Sequence, residues 1–323
     1  MYAAPPSITA EIFTVIPGAI GYGNRRSDWA DAQINGAPTP TYLEGPCFDA
    51  AGDLWVTDIP WGRLLKIAPM GEVSVGAEYD GLPNGIKFIA DGRGVIADFK
   101  HGLMTFDPET GTVEPYLTRK LLEPFHGCND LTVASNGDLY FTDQGMSGLH
   151  APYGKVYRLR TDGKLDLLLD DIPSPNGLVL NKAENALMLA VTRDNAIWRV
   201  PLTADGGVTK VGAFIRMSGG NGPDGLAMDE DDNIAVCHVG MGCAWLFDRL
   251  GEPILRIRAP AGLKVTNCAY GGKDRKSLYI TESGTGTILR ADMPVPGREL
   301  HLRPLRSRGV GARDRAPTNF SEH

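Results

Sequence analysis

The sequence has no run of about 18 apolar residues anywhere in its 323 positions, so no membrane-spanning helix is expected. Its opening, MYAAPPSITAEIF, has neither a basic n-region nor an apolar h-region, and a secretory leader is not expected. Basic residues are in deficit: 32 Lys and Arg against 39 Asp and Glu leave a net charge of −7. That balance argues against a nucleic-acid surface and favours cations over anions in any central channel. Cys47, Cys128, Cys237, Cys243 and Cys268 follow no zinc-like spacing. An odd cysteine count without a leader fits reduced thiols in a cytoplasm. Cys237 and Cys243 flank a Gly-rich turn, but the same compartment disfavours a disulfide there. Helical stripes and the period of roughly 20–29 residues typical of Leu-rich repeats are missing as well.

Turn residues are abundant, with 40 glycines and 23 prolines. The stretch FHGCNDLTVASNGDLYFTDQG, 125–145, shows how they are used. A β-prone run (Leu131, Val133) meets the Asn136-Gly137 turn and returns as Leu139–Thr142, a hairpin signature. Glu44-Gly45-Pro46, Pro83-Asn84-Gly85, Pro175-Asn176-Gly177, Pro223-Asp224-Gly225 and Val265-Thr266-Asn267 each lead into a similar hairpin. The anchors Glu44, Asn84, Asn129, Asn176, Asp224 and Asn267 are 40, 45, 47, 48 and 43 residues apart. Six units of that period, each with four short strands, predict an all-β fold, a six-bladed β-propeller with a central channel. The propeller overrides the two-domain expectation that length alone would suggest.

In a propeller the first strand of each blade lines the channel, so the anchors point toward one axis. Carboxylate and amide oxygens converging there suit a hard divalent cation that needs neither sulfur nor imidazole. Asn-Gly and Asp-Gly are also ordinary turn residues, but six in register, one of them a glutamate, point to a site.

Three spans follow: an N-terminal strand and rim or lid segment (1–43), the propeller (44–297), and a basic tail (298–323) whose polar part is expected to be disordered. Within the first, EIFTVIP alternates as a strand able to complete the last blade and remove its free edge. Trp29 reads first as an anchor pinning the rim segment to the body, second as a pocket wall. The residues at the ends of second strands, among them Asp58, Asp98, Asp143, Arg193, His238 and Glu282, are weaker site candidates than the anchors.

The EGP of blade one, CND of blade three, PNG of blade four and PDG of blade five resemble the gluconolactonase/regucalcin family of six-bladed propellers, relatives of diisopropylfluorophosphatase. The resemblance runs from about Ile12 to Pro296. It implies one divalent cation, Ca²⁺ first with Zn²⁺ and Mn²⁺ as alternatives, held by Glu44, Asn129, Asn176 and Asp224. It also implies that Asn84 contacts a small-molecule substrate. Leu82 and Pro83 stand where the family often carries an arginine, which points away from a sugar lactone and toward a differently shaped pocket. The implied activity is metal-assisted lactone hydrolysis, with Asp224 activating water and Glu44 serving mainly as a ligand. His126, three residues before Asn129, is a candidate proton donor, and His101 and His238 are candidate pocket residues. Phosphotriester or fluorophosphate hydrolysis at the same metal is the rival chemistry. A non-catalytic calcium-binding propeller is the rival class. The expected setting is cytoplasmic, without membrane or nucleic-acid partners, and the oligomeric state is open.

Overall fold

The computed structural model describes residues 4–23 and 25–299. Six antiparallel sheets stand around an axis, spanning 43–78, 83–117, 128–172, 175–216, 222–258 and 265–292. The inner strand of each packs on the inner strand of the next, and that of blade six packs on that of blade one. This is the predicted six-bladed propeller.

Each hairpin is set by its turn. In blade one, Asp49 Oδ1 accepts from the amides of Ala51 and Asp53 at 2.9 and 3.0 Å, closing the turn before Leu54–Asp58. Asp229 does the same in blade five, accepting from Asp231 and Asn233. The strands alternate side chains, and the apolar faces of neighbouring blades meet. Between blades one and two, Trp55 packs on Phe106 with ring centroids 5.0 Å apart, and Ile86, Phe88 and Met104 fill in around them.

The chain's early strands complete the ring. Glu11–Val15 pairs antiparallel with Thr287–Asp292 and supplies the fourth strand of blade six. Ser7–Thr9 adds a fifth, parallel strand to the outside of blade five. Hydroxyls lock the seams between blades. Thr57 donates to the Asn84 carbonyl at 2.6 Å, Thr142 to the Asn176 carbonyl at 3.0 Å, and Thr266 and Ser283 both to the Leu43 carbonyl.

All five cysteines are buried and free. Cys243 pairs across the hairpin with His238, while Cys237 faces Ala244, so the register keeps those two thiols apart. Arg298, assigned to the tail by composition, docks on blade four, donating to the carbonyls of Leu180 and Asn181 at 2.8 and 2.9 Å and pairing with Glu184. The remaining tail, 300–323, lies outside the described residues. Among the described residues no helix is long and apolar enough to cross a membrane.

Removing residues 4–15 would bare the edge of Thr287–Asp292. The expected result is a melting temperature lower by roughly 10 °C or more, read by calorimetry. An unchanged midpoint would show that ring closure adds little.

Candidate metal centre at the channel mouth

Each of the six inner strands breaks register at its anchor. A bulge bends a strand and re-aims its side chains, and six at one level turn the anchors toward the channel mouth. Cross-strand pairing shows which residues are equivalent. Glu44, Asn84, Asn129, Asn176 and Asp224 hold one position, as predicted. In blade six that position belongs to Thr266: the pair Val265–Glu282 matches Pro223–His238, which moves Asn267 one step further along.

That next step is glycine in four blades: Gly45, Gly85, Gly177 and Gly225. A Cβ at Gly225 would stand 2.1 Å from the Asn267 side chain, and one at Gly85 would stand 2.4 Å from Asp130 Oδ1. Blades three and six carry Asp130 and Asn267 there and use the space the glycines leave. The result is a second polar layer beneath the anchors. Asn267 Nδ2 donates to Glu44 Oε2 at 2.8 Å and lies 3.5 Å from Asp130 Oδ2. The Lys87 charge opposes the rise in proton affinity that burial imposes on Asp130 and Glu44.

Above this layer lies a cavity of about 760 Å³ whose lining includes Glu44, Asn84, Asn129, Asn176 and Asp224. The helix Asp28–Gln33 forms part of the rim. Its Trp29 is buried against Tyr42, ring centroids 4.6 Å apart, and also faces the cavity, so it serves as both anchor and wall.

Glu44 and Asp224 are both buried. Burial raises the Glu44 carboxyl to about 7, against the stabilising bonds from Asn267 and the Gly45 amide. Burial also pushes Asp224 well above the ordinary carboxylate range, with the Glu44 and Asp130 charges adding to it, while Asn176 hydrogen-bonds Asp224 and opposes the rise. Asn129 supplies a neutral oxygen. Its Nδ2 donates to Gln144 Oε1 at 3.0 Å, and Gln144 Nε2 donates to Ser174 Oγ at 3.0 Å. This chain fixes the amide so that Asn129 Oδ1 is left buried with no partner among the described residues. Two crowded carboxylates and one orphaned amide oxygen fit a hard divalent cation. No group of three or more His, Cys, Asp or Glu side chains among the described residues is disposed to hold a metal, so such a centre depends on amide oxygens.

The second-strand carboxylates do other work. Asp58 accepts from the Tyr42 amide, Asp98 from Leu82, Asp143 from Gly127 and Glu282 from Lys264, at 2.7 to 2.9 Å, each tying down the segment before an inner strand. The three histidines singled out from sequence are not among the residues lining the cavity. His126 is exposed and packs on Tyr153. His101 contacts the Asp80 carbonyl at 2.5 Å. His238 is buried between the Gly219 carbonyl and the Trp245 indole N–H, and burial lowers its pKa. The histidine that does line the cavity is His150, in the insertion of blade three. Arg193, one of the weaker strand-end candidates, lines it too, as do Tyr42 and Lys264, which sequence reasoning passed over. Those two sit in connections, where the repeat gives no register.

Residues 43–284 match the family model described as the SMP-30/gluconolactonase/LRE-like region. Lactonase drp35 of Staphylococcus epidermidis is 31% identical over 231 residues, covering 68% of this chain and 70% of that protein. A calcium-binding protein, regucalcin, from Agrobacterium tumefaciens is 26% identical, with a TM-score of 0.72 over 92% of this chain and 100% of its own. A gluconolactonase from Xanthomonas campestris, at 24% identity and a TM-score of 0.70, covers 91% of this chain and 99% of its own and shows the shared fold.

Two outcomes follow from the buried acids. Between 4.5 and about 7 the folded chain keeps a proton on Glu44 that the unfolded chain has released. Stability of the chelator-treated protein therefore falls as pH rises through that window, and added Ca²⁺ should raise the melting temperature more at about pH 7.5 than at about pH 5. A Ca²⁺ effect equal at both would mean the cation does not relieve these acids. Asn267→Ala removes a donor from Glu44 and should weaken Ca²⁺ binding by about tenfold or more in titration calorimetry. Unaltered affinity would remove Asn267 from the site's support.

Proposed function

The chain belongs to the SMP-30/gluconolactonase/LRE-like family, and from that membership we propose that it is a metal-dependent hydrolase that opens lactones in the cavity at the channel mouth. Glu44, Asn129, Asn176 and Asp224 would hold one divalent cation, Ca²⁺ by preference because every donor is oxygen. When bound, the cation supplies Lewis acidity to a lactone carbonyl and stabilises negative charge on its oxygen.

The side chains do the rest. Asp224 takes the proton from the attacking water at a carboxylate oxygen. Burial and the Glu44 charge raise its proton affinity, which brings a carboxylate closer to the range useful for a base near neutral pH. Asn267 and the Gly45 amide, at 2.8 and 2.9 Å, favour the anionic form of Glu44, the form that would serve as ligand. Asn84 borders the cavity with its backbone carbonyl held by Thr57, leaving its amide to orient the substrate. Trp29, Ile34, Ile59 and Phe99 keep bulk water from the reacting ring. Attack forms a new acyl C–O bond and breaks the ring C–O bond. The ring oxygen leaves as a hydroxyl after receiving a proton, and the product is a hydroxy acid.

The observation that carries this reading is the convergence, from separate blades, of two buried carboxylates and a partnerless amide oxygen on one cavity. Asp224→Asn keeps size and hydrogen bonding but removes the base. Lactone turnover should drop by about 10²–10⁴ with the melting temperature of the chelator-treated protein not lowered. Near-normal rates would sink the assignment of Asp224, and Ca²⁺ binding with no lactone opened in a broad panel would make the protein a non-catalytic calcium binder.

A further inference from the structure

Two basic side chains line the cavity without acidic partners among the described residues. Arg193 lies in the turn Thr192–Asp194 after the second strand of blade four, and Lys264 directly precedes the inner strand of blade six. Both line the cavity. Among the described residues neither forms an ion pair with a carboxylate. The Arg193 guanidinium makes a long contact, 3.5 Å to the Asn221 carbonyl. Lys264 Nζ sits 5.6 Å from the centre of the Tyr42 ring. Arg193 lines the cavity together with Tyr42 and Asp224, and its charge opposes the rise in proton affinity of both.

The nearby acids are engaged elsewhere. Asp194 holds Arg216 and the Trp198 indole at 2.8 and 2.9 Å. Glu282 accepts from the amides of Lys264, Gly284 and Thr285. The acids in the cavity lining are Glu44 and Asp224, and a bound divalent cation matches their two charges. Arg193 and Lys264 then remain as uncompensated positive charge beside an apolar wall. A neutral lactone has nothing to offer them, whereas an anion does, and a guanidinium fork matches a carboxylate in geometry.

We propose that the cavity selects lactones bearing an anionic substituent, which Arg193 and Lys264 bind while the ring carbonyl faces Glu44 and Asp224. This specificity rests on the lactonase reading above. Water adds across the acyl C–O bond of such a lactone, the ring oxygen becomes a hydroxyl, and for a carboxylate-bearing ring the product is a hydroxy dicarboxylic acid.

The test compares γ-butyrolactone-γ-carboxylate with its methyl ester in the Ca²⁺-loaded protein, each rate corrected for spontaneous opening. The acid should have the higher kcat/KM. Arg193→Gln and Lys264→Gln should each lower the acid-to-ester ratio by about tenfold or more, mainly through KM. Calorimetry with glutarate, which cannot react, should show the same loss of binding in both variants. A wild-type ratio at or below one, or a ratio and glutarate affinity that neither variant changes, overturns the proposal. If no lactone opens at all but glutarate binding still depends on both residues, hydrolysis fails and the anion site stands.

Discussion

Two carboxylates buried within reach of each other's field are the constraint around which this molecule is arranged. Glu44 and Asp224 come from blades one and five, and burial raises the proton affinity of both. Left alone, such a pair destabilises the fold at neutral pH. The fold relieves it from several sides: the Gly45 amide and Asn267 reach Glu44, Asn176 reaches Asp224, and Lys87 lies on the side of the second layer. None of these supplies the two positive charges that a divalent cation would bring, and the partnerless oxygen of Asn129 faces the same cavity. The protein is organised to tolerate the pair rather than to neutralise it.

The architecture that holds the pair is built from backbone features. Six bulges at one level aim the anchors, four glycines clear the layer below, and threonine hydroxyls fasten the anchor carbonyls of one blade to the strand of its neighbour. The seam bond from Thr57 to Asn84 shows the logic. It fixes the backbone carbonyl of a residue whose side chain borders the cavity. Positions that must stay rigid are thus fastened through the main chain, and their side chains remain available for chemistry.

Much of this was legible in the sequence, for definite reasons. A repeat of hairpins has a period, and the period revealed the six blades and the level of Glu44, Asn84, Asn129, Asn176 and Asp224. It failed at blade six, where Asn267 looked like an anchor but strand register gives that place to Thr266. An amide one residue late is indistinguishable by composition. Asp130 was missed for the complementary reason: it adjoins a strong anchor, and its significance appears only against the glycines that other blades carry at its position. His126 adjoins the Asn129 motif and His238 sits at a strand end, yet His238 points into the packing beside Trp245 and His126 outward onto Tyr153. Lys264 and Tyr42 lie in connections, whose path in space no periodicity predicts, while Arg193 follows a second strand and was legible there as a weaker candidate.

The bond between Asn267 and Glu44 joins residues 223 positions apart in the chain. During synthesis on a ribosome Glu44 emerges early, and its supporting amide is made only when the last blade arrives. Until then the growing chain holds that carboxylate without its cross-ring donor and the strand Glu11–Val15 with no sheet to join. A cation held through Glu44 would therefore gain the full support of its site only once the last blade is in place.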